Sequence, residues 1–443
     1  MIAVAILLSA AGCSGKGSLV SGETKTWEKT IVTGSVETAA DEVDVVEQAK
    51  NYTRPANGAK VPDHLTLAPA YTLAQDATEE EARAMCVKAM ADQLTFCWTP
   101  AQDATLLYTQ IDNNRDTVFY ASKAYAGMPY AGGGTGLLQA LEYYDFESGV
   151  MVGLPWDNIN DVFGNTCATA VNWALSSVCP SICGTQTSSV TPFFGYVTIG
   201  EVVLPADLTT FDSTNQTTRQ YVDATDEQAL YRAYAQMLPA DVFISVGSPN
   251  EGAHAMMCYE APEVKTLANG SIDPENSFAT VIDQRITNKE TVVNGTAYLM
   301  RGRIGGRLSF AELRQKHYLP LRPADLANWQ GSVKASSVSD REVSSLAELK
   351  EAALLSNYRL ARVSLNVVSD SGAVVYQRKI IISQDLFREM KDRAYALNAL
   401  VPRTDTLKKL IREGRTYTVE VRSLLATGEE FTPVSFILDP AEL

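Results

Sequence analysis

The stretch 165–179, NTCATAVNWALSSVC, predicts a helix that carries a cysteine in its first turn. Its apolar residues recur at helical spacing, and Asn165 and Thr166 belong to the residue types that cap helix starts. Unpaired backbone N–H groups and the helix dipole stabilise negative charge at that end, which lowers the pKa of a thiol. Cys167 is therefore a candidate nucleophile, and the alternative is a small hydrophobic residue buried in the core.

The composition is that of a globular protein with room for two or three domains. The chain has 443 residues, of which 46% are apolar and 20% charged. Its formal net charge is −15, from 52 acidic and 37 basic residues. This excess of negative charge opposes binding to nucleic acid or to an anionic membrane surface. We expect no nucleic-acid partner.

The first 13 residues, MIAVAILLSAAGC, form an apolar run that ends in small residues and a cysteine. The run is too short to span a bilayer. Its end resembles the cleavage box of bacterial lipoproteins, in which the cysteine is lipidated. We expect a signal peptide at 1–13, a lipid on Cys13 as the membrane anchor, and a place on the outer face of the bacterial membrane. An ordinary signal peptide or a buried segment are the alternatives. Residues 14–75 are polar and partly acidic, which predicts a flexible tether.

Seven cysteines are present, and five remain once the candidate nucleophile and the candidate lipidation site are set aside. Cys179 and Cys183, in the sequence CPSIC, are the favoured pair for a disulfide outside the cell. A metal site there would need two further ligands, and no nearby histidine or cysteine supplies them. The glycine cluster at 127–138 lacks the Lys-Ser/Thr of a phosphate-binding loop. We expect neither a metal ion nor a cofactor.

Two alternating segments after the cysteine helix predict strands. Residues 253–260, AHAMMCYE, carry His254, and residues 277–285, SFATVIDQR, carry Asp283. A histidine can take the proton of a cysteine thiol and return it to a leaving group. If the two strands pair, Asp283 can hold the imidazole in its useful tautomer, with Gln284 as the fallback. Taken singly, such a histidine is more often structural and such an aspartate an ordinary strand-end carboxylate.

Two further helix starts are predicted by capping-box spacings, Thr78 with Glu81 and Thr225 with Gln228. Each is followed by apolar residues at helical spacing, which predicts a buried face. Both helices lie within residues 76–325, so we expect helices and strands to share that domain.

By these residues the chain resembles the NlpC family of papain-like cell-wall peptidases, in particular its Firmicute-type exported branch. The resemblance rests on GMPYAGGG at 127–134, TCATAVNWAL at 166–175, MLPADVFIS at 237–245 and GAHAMMCYE at 252–260. It extends over about residues 76–325. Three shorter segments also fit the pattern, and they are Trp98–Pro100, Phe310–Leu313 and Tyr318–Pro320.

The resemblance implies an α+β, papain-like fold in which helices pack on an antiparallel sheet. It implies that Cys167 is the nucleophile, His254 the base and Asp283 the residue that orients the base. Tyr130 and Gln284 would belong to the substrate site. The implied reaction is hydrolysis of an amide bond, above all in peptidoglycan stem peptides, through a thioacyl-enzyme. The backbone N–H of Cys167 would contribute to the oxyanion hole.

Several residues depart from the family pattern. Thr166 stands where an aspartate is usual, Ala168-Thr169 replaces Ser-Gly, and Ala240 replaces a glycine. These changes leave the nucleophile and the base in place but alter residues that shape the peptide site. Two other functions therefore stay open: a non-catalytic surface binding or adhesion lipoprotein with a papain-like shell, and an acyltransferase of the same fold.

The C-terminal part is predicted to be a separate, strand-rich domain. Residues 331–341 are rich in serine and charge, which is typical of a linker, and residues 342–443 follow as a sandwich-like accessory domain. Turn residues predict hairpins about Asp370–Gly372 and Thr427–Gly428. Helical stretches are expected near 343–355 and 384–413. A wall component or a protein is the expected kind of ligand for this domain.

Overall fold

The computed structural model describes residues 31–35, 71–106, 117–130, 136–145, 148–151, 164–183, 195–202, 218–246, 253–293, 296–331, 336–338, 342–382, 394–412, 414–439 and 443. Within these residues the protein is mixed α+β, with ten α-helices and four sheets whose strands are mostly antiparallel. At this level the predicted α+β class is confirmed. The domain boundaries stay a prediction.

The elements are numbered here in chain order. The helices are α1 Glu79–Thr95, α2 Leu137–Ala140, α3 Cys167–Ser176, α4 Pro180–Cys183, α5 Thr218–Ala224, α6 Glu227–Ala235, α7 Phe310–Gln315, α8 Ala324–Ala327, α9 Leu346–Glu351 and α10 Thr404–Leu410. Two short 3-10 helices are Leu141–Tyr143 and Leu397–Leu400. The first ten strands are β1 Ile31–Ser35, β2 Cys97–Pro100, β3 Ala104–Leu106, β4 Thr117–Phe119, β5 Tyr125–Ala126, β6 Tyr144–Asp145, β7 Val150–Met151, β8 Tyr196–Thr198, β9 Val242–Ser245 and β10 His254–Glu263. The other ten are β11 Phe278–Val293, β12 Thr296–Ser309, β13 Leu319–Pro323, β14 Ser336–Val338, β15 Ala353–Ser356, β16 Leu360–Ser369, β17 Val374–Ile381, β18 Ala394–Ala396, β19 Tyr417–Leu425 and β20 Glu430–Ile437.

A ten-stranded sheet holds the central part of the chain, in the order β6-β7-β2-β5-β12-β11-β10-β9-β13-β8. Its four consecutive strands β9 to β12 are paired antiparallel, while β5 joins β12 and β7 joins β2 in parallel. Met257 on β10 lies opposite Ile282 on β11, so the strand of His254 is the neighbour of the strand of Asp283. The pairing that the sequence left conditional is therefore present.

Helices α1 and α3 pack on this sheet and share one hydrophobic core with it. The capping box at the start of α1 is confirmed, because Thr78 accepts from the Glu81 N–H and Glu81 accepts from the Thr78 N–H. The buried side of α1 is the predicted face of small and apolar residues, namely Ala82, Cys86, Ala89 and Met90. Burial of these side chains holds α1 beside the cysteine helix.

The predicted cap of helix α6 is wrong by one residue. Asp226 is the N-cap, and its side chain accepts from the backbone N–H of Ala229 at 2.9 Å. The hydroxyl of Thr225 donates instead to the carbonyl oxygen of Tyr221 at 2.8 Å, four residues back. Thr225 thus belongs to the end of helix α5, since its side chain is already used there.

A second core and a five-stranded sheet, in the order β1-β17-β16-β19-β20, form the C-terminal part. Both predicted hairpins are confirmed, with Gly372 (φ 81°) and Gly428 (φ 85°) in the left-handed region that glycine favours. Residues 353–356 form strand β15, whereas helix was expected as far as residue 355, because this segment pairs with β14 and β18. Residues 31–35, assigned to the tether, add the edge strand β1, which suits their β-branched residues.

The two residues that precede β16 contact the cysteine helix and the segment directly after it. The Arg359 guanidinium lies 3.6 Å from the ring centre of Trp173 on α3, and the Tyr358 hydroxyl donates to the carbonyl oxygen of Val178 at 3.1 Å. Arg362 of β16 pairs with Glu142, which precedes the cysteine helix in the chain. The predicted accessory part is therefore packed against the element that carries the candidate nucleophile.

Candidate active site

Cys167 is the first residue of helix α3. Thr166 is the N-cap, and its hydroxyl accepts from the backbone N–H of Thr169 at 3.4 Å, while the Thr166 N–H donates to the Thr169 hydroxyl at 2.7 Å. The predicted helix start is confirmed, and this reciprocal cap is formed by the two threonines that depart from the NlpC pattern, Thr166 and Thr169. The Cys167 backbone N–H is one of the four that a helix start leaves without an intrahelical acceptor. The residue is 2% exposed.

Tyr130 lies next to the thiol. Its hydroxyl is 3.8 Å from Cys167 Sγ, and its side chain is buried. The segment of Tyr130 is tied to the helix start because the Asn165 N–H donates to the Pro129 carbonyl oxygen at 3.1 Å. The structure therefore brings this predicted site residue to the sulfur, while the glycines at 132–134 lie outside the described residues.

His254 and Asp283 form a short hydrogen bond between neighbouring strands. His254 Nε2 lies 2.6 Å from Asp283 Oδ2, and the Asp283 side chain is fully buried while that of His254 is 20% exposed. Because Asp283 occupies Nε2, it selects the tautomer of the imidazole, and the ring nitrogen on the other side is Nδ1. Of the two candidates for an orienting residue, Asp283 is the one that contacts His254.

Gln284 points elsewhere. Its side-chain amide donates to the Met128 carbonyl oxygen at 2.6 Å, and the residue is 1% exposed. Successive residues of a strand face opposite sides of a sheet, so Gln284 cannot share the face of Asp283. The contact instead holds the segment that leads to Tyr130. Gln284 thus holds the Tyr130 segment from the face of β11 opposite to that of Asp283.

Two arginines complete the surroundings of Asp283. Arg303, directly opposite on β12, donates to Oδ1 at 2.9 Å and to Oδ2 at 3.2 Å. Arg285 donates to Oδ2 through Nε at 3.2 Å and Nη2 at 2.9 Å. Burial on its own raises the pKa of the Asp283 carboxyl, but the hydrogen bond and charge of His254 and the charges of both arginines outweigh it. The net effect is a pKa below the ordinary value.

Tyr318 is a buried residue directly before β13, and its pKa responds to the charges of the thiol and of this cluster. Burial raises the pKa of its hydroxyl, the negative charges of Asp283 and Cys167 raise it further, and Arg303 and Arg285 lower it. Tyr318, Arg285 and Arg303 were not identified as site residues from the sequence. Only Tyr318 carried a signal, as part of a segment that fits the family pattern.

Cys86, Cys179 and Cys258 are buried and form no disulfide. Cys179 is among them, so the predicted Cys179–Cys183 disulfide is not formed. The Cys179 thiol instead lies beside Cys86 of α1, in the core that α1 shares with α3. Burial raises the pKa of this thiol. The Cys183 side chain and Cys13 lie outside the described residues. In the described ranges, no three His, Cys, Asp or Glu side chains are grouped as a metal site requires.

Comparison of the chain with protein-family models, with curated proteins and with solved structures gives no match. Family membership therefore stays a prediction from the motifs quoted above. None of the helices in the part of the chain described has the length and apolar character needed to cross a membrane. The signal peptide at 1–13 and lipidation of Cys13 also stay predictions.

Proposed function

We propose that the chain is an exported cysteine hydrolase that cleaves amide bonds, with peptidoglycan stem peptides as the substrate class. The observation that carries the proposal is the short hydrogen bond between His254 and Asp283, on strands that lie against the helix of Cys167. A thiol at a helix start, a histidine and a buried acid are the parts that a thiol hydrolase needs. The motifs favour a papain-like arrangement of the α+β fold.

In the proposed mechanism, His254 Nδ1 takes the proton of the Cys167 thiol. Asp283 stabilises the imidazolium and keeps the ring oriented through Nε2. The helix dipole at the start of α3 stabilises the thiolate. Asp283 therefore stabilises and orients the imidazolium without exchanging a proton itself.

The thiolate then attacks the carbonyl carbon of the amide and forms a tetrahedral oxyanion. The Cys167 backbone N–H donates to that oxygen, and the Tyr130 hydroxyl, 3.8 Å from the sulfur, lies close enough to help position the carbonyl group. The imidazolium gives its proton to the departing amine, which leaves a thioester on Cys167. His254 next activates a water molecule, which hydrolyses the thioester and restores the thiol.

The burial of Cys167 favours one rival function. A thiol that is 2% exposed fits a non-catalytic binding protein that keeps the papain-like shell. That rival predicts tight binding of a wall ligand without turnover, and a thiol of ordinary reactivity. An acyltransferase would pass through the same thioester and differ only in the group that accepts the acyl chain.

The test is turnover of a muropeptide digest, followed by mass spectrometry, with and without an added amine acceptor. We expect cleavage by the unaltered protein and a loss of about 10⁴-fold or more in Cys167→Ala, because the nucleophile is removed. Cys258→Ala is the matched control, since Cys258 is equally buried, and it should retain turnover. Turnover by Cys167→Ala would overturn the proposal, and products joined to the added amine would assign the chain to the acyltransferases.

A further inference from the structure

The groups around Asp283 carry a net positive charge. Asp283 contributes one negative charge, and Arg285 and Arg303 contribute one positive charge each. The sum is +1 when Cys167 and His254 are both neutral, and it stays +1 when the proton has moved from the thiol to the imidazole. The chain as a whole carries −15. The charge of this cluster is therefore opposite in sign to the net charge of the protein.

The positive groups are the ones that face solvent. The Asp283 side chain is fully buried, while Arg285 is 38% and Arg303 24% exposed. Arg285 uses Nε and Nη2 for Asp283, and its Nη1 makes no hydrogen bond among the described residues. Arg303 is held more tightly, since it donates to both oxygens of Asp283 and to the sulfur of Met256 at 3.3 Å. An approaching ligand thus meets the outer edge of Arg285.

Arg285 also lies on the right side of the sheet to meet a substrate. It is two residues beyond Asp283 on β11 and therefore shares its face, as the hydrogen bonds between them show. Arg285 Nη2 and His254 Nε2 both bind Asp283 Oδ2, at 2.9 Å and 2.6 Å, so the guanidinium and the candidate base belong to one cluster. A planar guanidinium with a free edge matches a carboxylate in geometry and charge.

We propose that Arg285 is a specificity-determining residue that binds a free carboxylate of the substrate. The site then selects peptides that carry a carboxylate close to the amide to be cleaved, over the same peptides with a carboxamide there. This inference rests on the proposed function, because it concerns the substrate of the same site. Arg303 acts as a positioning residue, since it fixes the Asp283 carboxylate, and that carboxylate in turn holds Arg285 by hydrogen bonds.

The test uses binding, so that it does not depend on turnover. Matched pairs of synthetic stem peptides, in which each carboxylate in turn is replaced by a carboxamide, are titrated calorimetrically into the Cys167→Ala protein. One pair should show binding that is weaker by about tenfold or more for the carboxamide, as expected for loss of a charged hydrogen bond. The difference should disappear in Cys167→Ala with Arg285→Gln. It should persist with Arg307→Gln, an exposed arginine that pairs with Glu263 and gives the same charge change.

Equal binding within every pair, no binding of any peptide, or a preference that survives Arg285→Gln would each overturn the inference. A measurement without a variant at Arg285 guards against loss of folding: the preference should shrink as salt rises from about 0.05 M to about 0.5 M, because a partly exposed ion pair is screened. A preference that ignores salt contradicts the inference. Turnover by the unaltered protein is recorded separately, so failure of the proposed function and failure of the carboxylate preference give different results.

Discussion

Asp241 and Asp283 are both fully buried, and each accepts hydrogen bonds from two arginines. Asp241 is held by Arg83 at 2.9 Å and by Arg322 at 2.7 Å, and it also accepts from the backbone N–H of Leu238 at 2.9 Å. Asp283 accepts from a histidine in place of a backbone N–H. A buried aspartate that pairs with two arginines therefore occurs at both places.

The Asp241 and Asp283 clusters differ in the solvent exposure of their side chains and in the presence of a histidine. Arg83 is 5% exposed and Arg322 22%, whereas both arginines of Asp283 and its histidine reach solvent to a greater or similar extent. Asp241 also neighbours a cysteine, Cys258, whose pKa is raised by burial and by the charge of Asp241. A carboxylate, two arginines and a thiol are therefore present at both places. The histidine is what distinguishes the candidate site.

The largest effects are expected from neutralising the two carboxylates. Asp241→Asn should lower the free energy of unfolding by about 3–5 kcal/mol, because it leaves buried arginines without a partner. Asp283→Asn should cost about 2–3 kcal/mol, since its arginines regain part of their hydration. Their effects on turnover should be reversed: Asp283→Asn lowers kcat by about 10²-fold or more through loss of the oriented imidazole, and folded Asp241→Asn keeps it.

Urea unfolding and steady-state turnover on the same preparations check this pair of variants. A fall in kcat for Asp241→Asn that equals that of Asp283→Asn would remove the distinction between the two carboxylates.

A smaller effect concerns acid. The pKa of Asp283 in the folded protein lies below its unfolded value of about 3.9, so its charge stabilises the fold at pH values above that. This contribution is lost as the pH falls through the folded pKa. The difference in unfolding free energy between the unaltered protein and Asp283→Asn should therefore shrink as the pH is lowered from about 6 toward 2. Chemical unfolding at a series of pH values measures it, and a constant difference would contradict the assignment.

The smallest effect belongs to the turn before Asp241. Ala240 has φ 71°, in the left-handed region, where the resemblance to the NlpC family leads one to expect glycine. Ala240→Gly should raise the free energy of unfolding by about 0.5 kcal/mol, the relief of strain being partly offset by the lost methyl group and by chain entropy. Ala255→Gly, at the buried second residue of β10, is the control and should destabilise by about 1 kcal/mol. Equal losses in both variants would show that Ala240 is not strained.

The sequence predicted those parts of the site that are set by local chemistry. The cap of Thr166 and the helical spacing after it placed Cys167, and alternation placed His254 and Asp283 on strands. The hairpin turns at Gly372 and Gly428 were equally local, because only a left-handed residue closes them.

The parts that were missed depend on long-range pairing. Arg303 reaches Asp283 because β12 pairs with β11 in one particular register, and no local pattern fixes that register. Arg285 lies two residues beyond Asp283 on β11, and strand alternation alone does not show that its guanidinium binds that carboxylate. Residues 353–356 have helical neighbours in sequence, yet pairing with β14 and β18 makes them a strand. The contact of Arg359 with Trp173 likewise follows from tertiary packing.

The most direct test of the account is the pH dependence of alkylation at Cys167, read by peptide mass spectrometry, in the unaltered protein and in His254→Ala. Cys258 in the same digest serves as the internal reference for a buried thiol. The account predicts that Cys167 reacts well below the ordinary thiol pKa of about 8.5 and that His254→Ala moves its reaction up toward that value. Reaction of Cys167 only near pH 8.5 in both proteins, or no reaction at all, would contradict the thiolate–imidazolium pair and favour a binding protein.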